Sequence, residues 1–228
     1  MSGRYPSGSG KALLETYRQL YAHYGPQHWW PGETPWEVMV GAVLTQNTAW
    51  ANVEKALANL KGAGALAPRA LRELPHQELA ALIRPSGHYQ AKATKLKALA
   101  EFVGAYGDDL ARLFSEATPN LREKLLNVHG IGEETADSIL LYAARRPVFV
   151  VDAYTRRIFS RLGLGPGEDS YQTWQGFFME NLPLQEGLLN EYHALLVRHG
   201  KELCRKKPLC PTCPVKNLCA FFLSKNGV

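Results

Sequence analysis

The stretch His129–Tyr142, HGIGEETADSILLY, decides how the rest of the chain is read. Two glycines separated by one residue lead into Ala136, Ile139, Leu140 and Ala143, apolar positions that recur at helical spacing. Such a turn presents backbone N–H groups at a helix start and suits an anion such as phosphate. Glu133 and Glu134 then occupy the first helical positions, where carboxylates complement the helix dipole yet oppose a nearby anion.

Outward from this stretch the pattern stays helical. Apolar residues recur at intervals of three and four and no alternation of period two is sustained, which makes the chain all-α. In TPWEVMVGAVLTQNT (34–48) the apolar run is dense enough for a buried strand, but the start signal decides for a helix: Thr34 as N-cap, Pro35 at the first position and Glu37 at the third form a capping box. A polar break follows at Gln46, Asn47 and Thr48, then a second helix. Further helices are expected at 10–23, 66–73, 76–83, 89–105, 108–115, 119–128, 133–145, 152–162, 170–181 and 186–200. PVFVV (147–151) alone reads as extended, too short to found a sheet. The opening MSGRYPSGSG reads as a loose tail.

A chain of 228 residues, 46% hydrophobic, can bury one or two cores without disulfides. It has no run of eighteen apolar residues and no apolar export segment at its start, so no membrane partner and a location in the cell interior are expected. The net charge of +5 is unevenly placed: residues 201–228 hold six basic side chains against Glu202 alone. That basic end is either a solubilising face or part of an anion-binding surface.

The same segment holds all four cysteines, as C-x5-C-x2-C-x5-C from Cys204, Cys210, Cys213 and Cys219. Clustered thiols inside a cell read as metal ligands, for either zinc or an iron–sulfur cluster. A metal would brace the loop and hold Arg205, Lys206 and Lys207 ready for a phosphate backbone.

Three elements stand in order: the Gly-Ile-Gly turn into a helix, VVDAYTRRIFSRLG beginning at Val150, and the cysteine loop. Together they resemble the helix-hairpin-helix DNA glycosylases of the endonuclease III superfamily, over about Trp29 to Cys219. The resemblance implies a two-domain fold: a six-helix barrel domain with the hairpin over 28–147, and a discontinuous iron–sulfur cluster domain from 1–27 and 148–228. The active site would lie in the groove between the two. It implies that the backbone N–H groups of Gly130, Ile131 and Gly132 take a DNA phosphate and that Asp152 is the catalytic aspartate. Gln46 would fill the gap left in the duplex, and Lys92 in GHYQAKATKLK would contact another phosphate. Asp152 also fits an ordinary helix N-cap, and Gln46 an ordinary polar break. The family's cysteine loop usually reads C-x6-C-x2-C-x5-C, one residue longer in the first interval; the resemblance favours a [4Fe–4S] cluster, with zinc the alternative.

Bifunctional members carry a lysine at the second residue after the hairpin's last glycine and attack the sugar with it. Here that residue is Glu134, which cannot form an imine. The expected activity is therefore hydrolysis of an N-glycosidic bond in double-stranded DNA after a damaged base is flipped out, with Asp152 as the acting carboxylate and Glu134 assisting electrostatically. Trp29 and Trp30 are the candidate base pocket, although tryptophans near a helix start are as often core. The lysine-less site resembles the 3-methyladenine DNA glycosylase branch. Alkylated purines, oxidised pyrimidines, uracil and mismatched thymine all stay open as the target. The protein is expected to act as a monomer, in the cytoplasm or on the nucleoid. Two alternatives stand beside this reading: a glycosylase that also cuts abasic sites, and a non-catalytic lesion-binding protein with a structural metal.

Overall fold

The computed structural model describes residues 8–225, so most of the opening tail lies outside the described residues. Among them there are helices and turns and no strand. The chain divides into two compact units, one running from Trp30 to Arg146 and the other formed by the residues up to Trp29 together with those from Pro147 onward.

The unit Trp30–Arg146 is built around α2 (Pro35–Leu44), whose residues from Trp36 to Leu44 are all buried. Its start follows the local sequence: Thr34 accepts from the Glu37 N–H at 3.1 Å and Pro35 holds the first position. The returning bond of the capping box lands one residue early, on the Glu33 N–H at 3.1 Å, and Lys61 neutralises the buried Glu37 at 2.9 Å. Around it come α3 (Trp50–Gly62), α4 (Pro68–Glu73), α5 (His76–Leu82), α6 (Tyr89–Gly104), α7 (Leu110–Phe114), α8 (Thr118–Leu126) and α9 (Glu133–Ser138). The α-helix expected through 145 stops at Ser138. Ile139–Ala143 continues it as a wider π turn, closed by Ala144 N–H on Ile139 O at 3.0 Å. Arg145 then takes a left-handed φ of 52°, which ends the element.

The second unit contains α1 (Ser9–Tyr24), α10 (Ala153–Leu162), α11 (Tyr171–Asn181), α12 (Glu186–Glu202), the cysteine loop and α13 (Ala220–Lys225), the last not expected from sequence. Its core is aromatic. Phe149 stacks on Phe178 at 3.9 Å between ring centres, and Tyr192, wholly buried, donates to Leu13 O at 2.7 Å and so ties α12 to α1. Burying each such ring is worth roughly 1.5–3 kcal/mol. PVFVV, expected to be extended, lies outside the helices and pairs with no strand among the described residues. Its backbone is satisfied by side chains of α11 instead: Gln175 Nε2 donates to Phe149 O at 2.8 Å, and the Phe149 N–H meets Met179 Sδ at 3.2 Å.

Candidate functional site

The hairpin joins α8 to α9. Arg122 on α8 grips the fully buried Asp137 on α9 through two bonds of 2.8 and 3.0 Å, which fixes the angle of the two helices. Between them Gly130 adopts φ 80°, and a Cβ there would run into the Lys95 side chain. Gly132 is different: nothing lies within 4 Å of where its Cβ would stand. What it leaves open is the approach from outside. The three residues expected to take a phosphate do not act alike. Ile131 is buried and its N–H is bonded to Val128 O at 3.1 Å, whereas among the described residues the N–H groups of Gly130 and Gly132 have no acceptor. Two donors, rather than three, are left without an acceptor just before α9 among the described residues.

Gln46 is brought to this hairpin. Its Nε2 donates to Gly130 O at 3.2 Å and Thr135 Oγ1 at 3.0 Å, while Lys95 Nζ donates to its Oε1 at 2.6 Å. Lys95 was missed from sequence; only its three-residue offset from Lys92 hinted that one helix face carries both.

Lys92 corrects an expectation. It is 2% exposed, and its ammonium donates to Leu44 O at 2.8 Å and Ser86 O at 2.7 Å. Burial, with Lys95 nearby, lowers its pKa to about 8. An ammonium so enclosed closes the C-terminal end of α2 and does not reach a phosphate. Glu134 is exposed on the first turn of α9 and Glu133 lies 3.8 Å from Arg122.

Trp30 lies against Gly41, where a Cβ would come within 3.1 Å of its Nε1, and beside Trp50 and Tyr142, each with ring centres 5.3 Å away. Trp50 and Tyr142 were not anticipated. Trp29 is half-buried at the end of the other unit, and Trp36 is core, its Nε1 donating to Leu66 O.

In the second unit Asp152 caps α10, its Oδ1 accepting from the Thr155 N–H at 2.7 Å. It is only 8% exposed, and its Oδ2 faces Nε2 of His193 on α12 at 3.7 Å. Burial alone would raise its pKa, but His193 and the Thr155 N–H outweigh that and hold the carboxyl below its ordinary value. Cap and charged group are thus one residue. His193 was invisible to sequence reasoning, since nothing local marks a histidine forty-one positions away as its partner.

All four cysteines line one cavity of roughly 370 Å³, part of it open to solvent, with Leu162, Leu203 and Phe222 among its apolar walls. Burial pushes the Cys213 thiol up to about 11 and raises that of Cys219 as well. No set of three or more His, Cys, Asp or Glu side chains among the described residues is arranged to hold a metal ion. The loop is held from α10: Arg157 donates to Cys204 O and Gly200 O, both at 2.9 Å, and Arg161 to Arg205 O at 2.7 Å and Lys206 O at 3.1 Å. Arg205, Lys206 and Lys207 are exposed. No helix is long and apolar enough to cross a membrane, among the described residues.

Comparison with known proteins fits this arrangement. The chain is 47% identical over 210 residues, 91% of its own length and 95% of the relative's, to the protein of Methanocaldococcus jannaschii named "Putative DNA repair glycosylase MJ1434". Among solved structures, the 3-methyladenine DNA glycosylase of H. pylori bound to 1,N6-ethenoadenine superposes with a TM-score of 0.74 at 30% identity, over 85% of this chain and 97% of that one. A non-covalent endonuclease III–DNA complex shares the fold, with a TM-score of 0.81 at 22% identity over 96% and 99% of the two chains. The model of the HhH-GPD superfamily base excision DNA repair protein matches residues 40–183, a span that holds Gln46, the hairpin and Asp152, and the chain belongs to that family.

Proposed function

We propose that this base-excision DNA glycosylase releases a damaged base by hydrolysis and leaves the strand uncut. One observation carries the reading: a buried carboxylate, Asp152, caps a helix and faces His193, which with the cap bond holds its pKa below the ordinary value, while the position that would need an amine for strand cutting holds Glu134. With the nucleotide flipped out, Asp152 stabilises the positive charge that develops on the sugar as the N-glycosidic bond breaks, and orients the water that adds to C1′. Glu134 contributes only charge. Strand cutting would need another amine, such as that of Lys92 or Lys201; that of Lys92 is engaged by two backbone carbonyls, which supports the monofunctional reading.

The two N–H groups at Gly130 and Gly132 take one phosphate, and Arg205, Lys206 and Lys207 add charge along the duplex. For the base, the rings of Trp30, Trp50 and Tyr142 favour a modified purine. A cationic alkylated purine gains about 0.5–2 kcal/mol from stacking on such faces. The likeness to a 3-methyladenine glycosylase holding ethenoadenine supports the same class. Cys204, Cys210, Cys213 and Cys219 would hold a [4Fe–4S] cluster: an all-thiol donor set around one apolar-walled cavity suits it, and when bound it supplies the brace for the basic loop. A monomer acting in the cytoplasm or on the nucleoid completes the reading.

The test is a panel of single-lesion duplexes assayed with and without alkali, together with borohydride trapping. Strand breaks should appear only after alkali, without a trapped adduct. Asp152→Asn keeps the cap, because asparagine caps as well as aspartate, yet base release should fall about 100-fold or more. A covalent adduct, or an unimpaired asparagine variant, would overturn the mechanism. Iron and sulfide analysis of the purified protein checks the cluster, and stoichiometric zinc would reverse that assignment.

A further inference from the structure

A carboxylate has two oxygens, and in Asp152 they have different partners. Oδ1 accepts from the Thr155 N–H at 2.7 Å and belongs to the cap of α10. Oδ2 is turned to His193 Nε2 at 3.7 Å, and the side chains of both residues are at most 10% exposed. A carboxylate buried this deeply tends to bind a proton, and a protonated Asp152 could not stabilise a cationic sugar. The cap bond alone leaves Oδ2 undirected. His193 supplies the second constraint from another helix. At 3.7 Å the contact is longer than a hydrogen bond, and catalytic contacts of this kind commonly tighten once substrate is bound. Six residues further along α12, His199 faces Cys213 at 3.6 Å, so the two histidines serve different surroundings.

We propose that His193 is a positioning residue for base release: its Nε2 holds Oδ2 of Asp152, so that the carboxylate stays ionised and turned toward the reacting sugar when the bound nucleotide excludes water. The inference rests on Asp152 being the group that acts at the sugar.

The experiment measures single-turnover base release, duplex affinity and melting temperature for His193→Leu, His193→Gln, Asp152→Asn and the double variant Asp152→Asn with His193→Leu. Glutamine keeps a donor near the position of Nε2. The leucine variant should release base at least about tenfold more slowly with its duplex Kd within about twofold, and the glutamine variant should recover to within about threefold of the native rate. On the Asp152→Asn background, leucine should cost nothing more, since a residue acting through another has no independent effect. A native rate in the leucine variant, a glutamine variant as slow as leucine, or an additive loss in the double variant would each refute the role of His193. Asp152→Asn at the native rate would refute the reading beneath it as well, and is distinguishable because it needs no change at 193. Should leucine prevent folding, the imidazole nitrogen resonances of His193 in the native protein and in Asp152→Asn still decide: they must shift between the two, and identical spectra refute the contact.

Discussion

The hairpin and the cysteine loop, both proposed to offer donors to a phosphate backbone, are built by opposite means. The hairpin is closed by the chain itself, through the Arg122–Asp137 pair, the buried Ile131 and the left-handed Gly130. The cysteine loop has few buried apolar side chains, Val215 being one, and takes its shape from two arginines reaching out of α10 and from four thiols around an open cavity. One region is complete as a protein structure, while on the proposed reading the other would be completed by a group that binds thiolates.

That contrast can be broken most forcefully at Arg122. Removing it leaves Asp137 buried without its bidentate partner, and Arg122→Ala should cost about 3–5 kcal/mol, read from denaturant unfolding. A loss under about 1 kcal/mol would mean that the hairpin is not held by this pair.

Lys92 tests the same unit with a smaller effect. Lys92→Met takes this donor from Leu44 O and leaves Ser86 O with the Thr48 hydroxyl alone, and should cost about 1–3 kcal/mol. The pH dependence has a definite sign. With a folded pKa lowered to about 8 by burial, the folded state gives up its proton before the unfolded state, whose lysine titrates near the usual value of about 10.4. Between those values the unfolded state holds more protons, so stability from this group rises with pH. In Lys92→Met that rise should be absent, and an unchanged slope would place the titration elsewhere.

The smallest effect belongs to the cysteine loop. Arg161 is partly exposed and bonds two loop carbonyls, so Arg161→Ala should change stability by only about 1 kcal/mol. Because it holds the backbone of Arg205 and Lys206, duplex affinity should still fall a few-fold and the salt dependence should weaken by about one phosphate contact. Unchanged affinity and salt slope would show that the basic residues need no such support.

The features written in neighbouring residues were the legible ones. Thr34, Pro35 and Glu37 announced the start of α2, the glycines announced the hairpin, and Asp152 before AYTRRIF announced a cap. Each is a rule about a few consecutive backbone groups, so each survives being read in one dimension. Lys92 shows the limit: in sequence it is a lysine on a helix among other lysines, and only packing against the end of α2 turns it from a surface charge into a buried clasp.

By itself, then, the sequence determined an all-α chain, a Gly-Ile-Gly turn at a helix start, a glutamate at position 134 and the grouping of four thiols, because helix periodicity and donor chemistry are local properties. Only the tertiary structure decided that Ile131 faces inward, that Lys95 and not Lys92 reaches Gln46, and that a histidine of α12 meets the second oxygen of Asp152. The physical reason is burial. Whether a charged or polar group is enclosed, and by what, depends on elements far apart along the chain, and enclosure sets both which contacts form and which protonation state survives.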